Sequence, residues 1–176
     1  MAGAVEARWS SLHWEYPVIF LTVGTQLAFD RLVRQVDEWA AASGVEVFGQ
    51  IGPGQYIPRH FRFEQFVHPS EFERRMDESD CIVSHAGMGT ILSAMQYGKP
   101  ALLMARRASL GEHRNEHQLS TARKFKDVPS FRFVESSADM AKGYEQLAAG
   151  VTGLGAAGTA AANGDFLRNL RQLIQQ

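Results

Sequence analysis

The chain has 176 residues, 45% of them hydrophobic and 21% charged, with a formal net charge of −1, the profile of one soluble globular domain able to bury a proper core. That near-neutral balance excludes a general nucleic-acid binder, which carries a strongly basic face. A single cysteine, Cys81, excludes intramolecular disulfides and cysteine-rich zinc sites and fits a reducing, cytoplasmic setting.

In chain order, residues 1–17, "MAGAVEARWSSLHWEYP", lack the continuous apolar run of a secretory signal, and no stretch of the chain reaches the ~20 apolar residues of a membrane span. They form an N-terminal extension whose Trp9, Leu12, Trp14 and Tyr16 either pack on the domain's flank or meet a partner or membrane surface. "VIFLTVG" (18–24) is a short apolar run closed by glycine, suited to a buried parallel strand. Leu27, Leu32, Val33, Val36 and Trp39 then keep helical spacing up to Gly44, a fitting stop. "VEVFGQIG" (45–52) and "FRFEQFV" (61–67) read as strands around the turn "PGQYIP".

Pro69 and Ser70 open a helix to about Ser79, and "CIVS" (81–84) is a fourth strand. A helix from about Gly87 to Tyr97 ends at Gly98 and Pro100, before the strand "ALLM" (101–104). Residues 112–126 read as helix, "FRFV" (131–134) as strand and 138–148 as helix. Alternating β and α units predict an α/β class: a Rossmann-like parallel sheet with helices on both faces, over residues 18–148. An Ala/Gly-rich connector (149–164) leads to a terminal amphipathic helix (165–176) with Phe166, Leu167, Leu170, Leu173 and Ile174 on one face.

The chemistry concentrates where "CIVS" runs into His85-Ala86-Gly87-Met88-Gly89-Thr90 and a helix begins. Glycines at 87 and 89 leave backbone N–H groups free to meet an anion, and the positive end of the helix and the Thr90 hydroxyl point the same way. A phosphate-bearing ligand and an empty tight turn both satisfy this pattern; His85 is either a phosphate hydrogen-bond donor or a plain helix-flanking residue. The spacing is neither a Walker loop nor G-x-G-x-x-G, and Ser84 lacks the G-x-S-x-G setting of a nucleophile.

"GEHRNEHQ" (111–118) contains H-x-x-E-H, a zinc pattern when borne on a helix. His113 and His117 would supply two ligands, with only the distant Glu135 or Glu145 as a third. The alternatives are a metallohydrolase site, a polar cluster that holds some other ligand, and a solvated face. Arg106, Arg107 and Arg114 lie close by, either solvated or facing an anion, and arginine suits bidentate recognition of phosphate or carboxylate.

"SHAGMGTILSAMQYGKPALLM" followed by "NEHQ" resembles the C-terminal, donor-binding half of GT-B glycosyltransferases of the MurG-like group (glycosyltransferase family 28). The opening "FLTVGTQLAFDRLV" resembles the start of Alg13-like small subunits, whose enzyme is split between two polypeptides. "RRASLGEHRNEHQLSTA" resembles the PssE-type branch of bacterial exopolysaccharide enzymes, paired with a PssD-type membrane subunit. The resemblance spans about residues 18–135. It implies an inverting, UDP-sugar-dependent enzyme subunit with no cofactor and no bound metal, consistent with the absence of an Asp-x-Asp motif. It also implies a membrane-anchored Alg14/PssD-like partner that carries the lipid-linked acceptor, is a candidate source of the general base, and recruits this chain to the inner face of the cytoplasmic membrane.

Carried over by position, His85, Gly87, Gly89 and Thr90 would hold the donor's pyrophosphate, with Gly24, Thr25 and Met88 also in the donor site. Asn115, Glu116, His117 and Gln118 would face its sugar and phosphates, with Arg106, Arg107, Glu112 and His113 beside them. His85 and Thr90 would stabilise the departing UDP. One position departs from the group: Ser93 stands where a glutamate clamps both ribose hydroxyls, so Glu112 or Glu116 would have to supply that contact, or it is weaker. Loss of that glutamate also fits a non-catalytic nucleotide-sugar-binding or regulatory subunit.

Overall fold

A computed structural model describes residues 18–153. The N-terminal extension, the rest of the Ala/Gly connector and the C-terminal amphipathic helix lie outside the described residues. Six strands alternate with five helices: β1 (Val18–Thr22), α1 (Asp30–Ser43), β2 (Glu46–Gln50), β3 (Arg62–Glu64), α2 (Pro69–Glu78), β4 (Cys81–His85), α3 (Met88–Gln96), β5 (Ala101–Met104), α4 (His117–Phe125), β6 (Phe131–Phe133) and α5 (Ser137–Gly153). All pairings are parallel, in the order β3-β2-β1-β4-β5-β6. The predicted Rossmann-like sheet is the one observed.

Period-two alternation sorts the strand side chains between two cores. Ile19, Leu21, Val83 and Leu102 pack toward α1 and α5, with Leu32, Val36, Trp39 and Met140. Phe20, Ile82 and Leu103 pack on the opposite face with Met76, Ile91, Met95 and Phe125 of α2, α3 and α4. Both faces are covered, which is why the strands read as continuous apolar runs.

Several boundaries differ from the sequence reading, among them the third strand, which covers only Arg62–Glu64 of the predicted 61–67. Leu27 does not belong to the first helix: it stays 37% exposed in the loop after β1, and α1 starts only at Asp30. The helix predicted over 112–126 forms only from His117, because Gly111 adopts a left-handed φ of 71° and the Asn115 side chain takes the His117 N–H at 3.2 Å. Such local side-chain bonds compete with helix. The final helix runs to Gly153, past its predicted end at residue 148 and into the Ala/Gly segment, where alanine favours helix.

The chain winds outward from β1 through β2 to β3, then returns to β4 and winds the other way through β5 to β6. The switch falls between β1 and β4. In such sheets a crevice opens there, beyond the C-terminal ends of the strands.

Candidate functional site

A cleft of about 360 Å³ occupies that crevice. The loop after β1 contributes Val23 to Leu27, the end of β4 His85, α3 Gly89, Thr90 and Ser93, the segment after β5 Arg106 and His113, and α2 and α4 add Phe72 and Gln118. Nine of the predicted residues therefore meet: Gly24, Thr25, His85, Gly89, Thr90, Ser93, Arg106, His113 and Gln118. Among the described residues no carboxylate lines the cleft.

Gly24 and Gly87 make room for the His85 ring. A Cβ on Gly24 would sit 3.1 Å from its Cε1, and one on Gly87 would collide with Nε2. Gly24 also needs its left-handed φ of 79°, whereas Gly87, at φ −92°, is required for space alone. Gly87 caps α3, so the first-turn N–H groups of Met88, Gly89 and Thr90 have no intrahelical acceptor and form an anion-seeking end. A Cβ at Gly89 would meet nothing within 4 Å. Its backbone is ordinary helix, so this glycine keeps the cleft open rather than making a turn.

Arg106 is the cation of the cleft. It is 2% exposed, its Nη2 donates to the carbonyls of Val23 (2.7 Å) and Leu27 (2.8 Å), and its Nε is buried with no hydrogen-bond partner. Burial lowers its pKa to about 10, against the opposing charge of Glu112, so it stays charged near neutrality. Gln118 accepts the Arg106 backbone N–H at 3.0 Å, which ties α4 to the same spot. Burial, then the Arg106 charge, push His85 down to about 4, so the ring is neutral near pH 7.

Other predicted residues stand back from the cleft. Glu112 is clasped by Arg31, Nε to Oε1 at 2.7 Å and Nη2 to Oε2 at 2.8 Å, and its Oε2 also takes the Arg107 N–H at 2.9 Å. Burial alone would raise its pKa, but those bonds and the charges of Arg31 and Arg106 hold it below the usual carboxylate range. It is committed to structure and not free for a ribose. Arg107 pairs with Glu135 at 3.0 Å. Glu116 accepts the Ser109 N–H at 3.3 Å, and Asn115 and His117 are exposed at the start of α4. With no helix under His113, the i, i+4 geometry of the zinc pattern does not exist. Among the described residues no three His, Cys, Asp or Glu side chains gather as a metal-holding group.

Sequence reasoning missed Phe72, Gln26 and, behind the cleft, Arg31. An arginine in the first turn of an amphipathic helix gives no sign that it reaches Ala105, Glu112 and Glu135, across a sequence distance only the fold closes. A larger groove lies along α1 and residues 55–60. Its buried Asp37 is spent on the Tyr56 hydroxyl (2.8 Å) and the N–H groups of Arg59 and His60, as the cap of that loop.

The family profile described as Glycosyltransferase family 28 C-terminal domain matches residues 18–137. The mouse UDP-N-acetylglucosamine transferase subunit ALG13 is 30% identical over 108 residues, covering 55% of this chain and 9% of that protein. Its human counterpart is 29% identical over 116 residues, covering 60% and 10%. The chain thus spans about a tenth of the length of these relatives. Among solved structures, the kitacinnamycin glycotransferase superposes with a TM-score of 0.62 at 19% identity, covering 89% of this chain and 39% of that one; this likeness concerns fold.

Proposed function

The chain belongs to the glycosyltransferase family 28 C-terminal domain family, and on that premise we propose that it is the donor-binding subunit of a two-component inverting glycosyltransferase. It holds a UDP-sugar, a hexose or uronic acid, while a membrane-anchored partner presents a lipid-linked acceptor, in bacterial exopolysaccharide synthesis. The observation that carries this reading is the cleft's charge: a buried arginine and a helix N-terminus with, among the described residues, no carboxylate on the walls. Such a site suits the two phosphates of a nucleotide sugar and disfavours a cationic ligand.

In the transfer, the acceptor hydroxyl forms a bond to the anomeric carbon as the bond from that carbon to the UDP oxygen breaks. The hydroxyl proton passes to a base, which we place on the partner. The charge gathering on departing UDP is met by Arg106 and the first turn of α3, groups already oriented before the reaction.

A partner is supported by the rim. Leu27, which lines the cleft, and Phe66, Met88 and Leu110, between 37% and 56% exposed, all follow the C-terminal ends of strands (β1, β3, β4 and β5), the side of the sheet on which the cleft opens. Large apolar side chains gathered at one edge mark a contact surface. Among the described residues no helix is long and apolar enough to cross a membrane, which leaves recruitment to the partner in this reading.

A second reading, a nucleotide-sugar-binding subunit without catalytic duty, draws on Ser93 and on the commitment of Glu112 to Arg31. The test is sugar transfer by the co-expressed pair over a panel of UDP-sugars, beside a pair bearing His85→Ala. Transfer that falls with the variant supports the catalytic reading. Equal transfer supports the binding-only one, and failure of the chain to bind UDP at all defeats both.

A further inference from the structure

The hydrogen bonds of Ser84 fix which nitrogen of His85 carries the proton. Ser84 Oγ lies 2.7 Å from the Thr22 carbonyl oxygen, which can only accept, so the single hydroxyl hydrogen is used there. The same Oγ lies 3.2 Å from His85 Nδ1 and can therefore only accept from it. That contact demands a hydrogen on Nδ1. In a neutral imidazole that leaves Nε2 with a bare lone pair. Ser84 is fully buried, so water does not relax this arrangement.

Nε2 lies against Gly87, where a Cβ would collide with it, and Gly87 is the N-cap of α3, whose first-turn N–H groups form the anion-seeking end. A lone pair there repels an anionic oxygen. Turning the ring over would give up the Nδ1–H bond. We propose that the nucleotide diphosphate enters this cleft together with one proton, taken up at His85 Nε2, and that Ser84 is the positioning residue that imposes this coupling. The inference rests on the donor-site reading given above.

The charge around the ring agrees. The groups facing His85 that bear or gain positive charge are Arg106 and His113, both of which oppose its protonation. The β1 loop, α2, the first turns of α3, and α4 bring only uncharged side chains. A diphosphate neutralises the opposing cations and adds its own charge beside Nε2, so the ordering of protonation states inverts on binding.

The test is histidine-selective ¹⁵N NMR on the full chain, free and saturated with UDP. In the free protein His85 should show a protonated Nδ1 and a bare Nε2 at neutral pH. With UDP its titration midpoint should rise from about 4 to above about 6, within reach of the ordinary histidine value. Ser84→Ala should admit the Nε2–H form in the free protein and shrink the UDP-dependent rise, a change that a merely structural role would not produce. A ring that remains neutral in the saturated complex at about pH 5.5, or an Nε2–H ring in the free parent, overturns the proposal while UDP binding itself stands. If UDP moves no cleft resonance, the donor-site reading falls and this inference with it.

Discussion

Arg31 and Glu112 meet through two parallel bonds, Nε to Oε1 at 2.7 Å and Nη2 to Oε2 at 2.8 Å, across 81 positions of sequence. The same guanidinium donates to the Ala105 carbonyl at 2.8 Å and to Glu135 at 3.0 Å. One side chain of α1 thus anchors the ends of β5 and β6 and the segment that carries His113 into the cleft.

Arg31→Gln should therefore lower stability by about 1–3 kcal/mol, since it leaves a largely buried carboxylate without its partner. The cost should appear with Glu112→Gln as well, and the double variant should cost less than the sum of the two. Denaturant unfolding of the four proteins measures this. Full additivity would show that the pair is a surface decoration.

At the cleft, Gly89→Val should leave the fold within about 1 kcal/mol of the parent, because a Cβ there meets nothing within 4 Å and φ is not positive. Its branched side chain would fill the space before the α3 N-terminus, and UDP binding should be lost. Thr90→Ala should be milder, about 0.5–1.5 kcal/mol for a neutral hydrogen bond and more toward a charged phosphate. Calorimetric titration with UDP ranks the two. A folded Gly89→Val protein that binds UDP like the parent would move the phosphate site elsewhere.

What was legible in the sequence was whatever the backbone dictates locally. Apolar runs such as "VIFLTVG" and the glycine-bearing turn after "CIVS" announced strands, a parallel sheet and an anion-seeking helix end. The bonds that decide the finer points join distant residues. Leu27 kept helical spacing, yet its carbonyl is held by Arg106 in a loop. Glu112 looked free for a ribose because nothing in "GEHRNEHQ" reveals Arg31. His85 was readable as a phosphate donor, whereas its proton is assigned by Ser84 and Thr22. Each of these is a tertiary hydrogen bond, and no periodicity encodes it.

His85 should also mark the pH dependence of stability. Its folded pKa lies near 4, below the ordinary histidine value of about 6.5, so the unfolded chain binds the proton more readily. Stability from this group is fully present above about pH 6.5 and is lost as pH falls through about 4, on the order of 3 kcal/mol in all. Glu112 and Asp37, whose pKa values are lowered, lose stability in acid too, so the parent must be compared with His85→Gln. Urea unfolding at steps between about pH 7 and pH 4.5 should show a shallower fall for the variant. Parallel curves would place a normally titrating histidine at this position.

The apolar rim gives the last prediction. Leu110 is 56% exposed on a short 3-10 turn and Met88 39% exposed at the start of α3, on segments that also carry the cleft-lining Arg106, His113 and Gly89. Neither contributes to a core cluster, so Leu110→Ser and Met88→Ser should each change stability by no more than about 0.5 kcal/mol. If the partner subunit closes over the cleft, the same side chains become buried against it, and truncating a well-packed apolar contact at such an interface costs more than about 1 kcal/mol. Each variant should then weaken co-purification with the membrane subunit by about fivefold or more, while UDP binding by the isolated chain stays unchanged. Ile57→Ser serves as the control: this residue is as exposed, at 57%, but lines the groove along α1 and residues 55–60. Equal recovery of the pair for all three variants would place the partner on another face. Loss through Ile57 alone would place it on that groove.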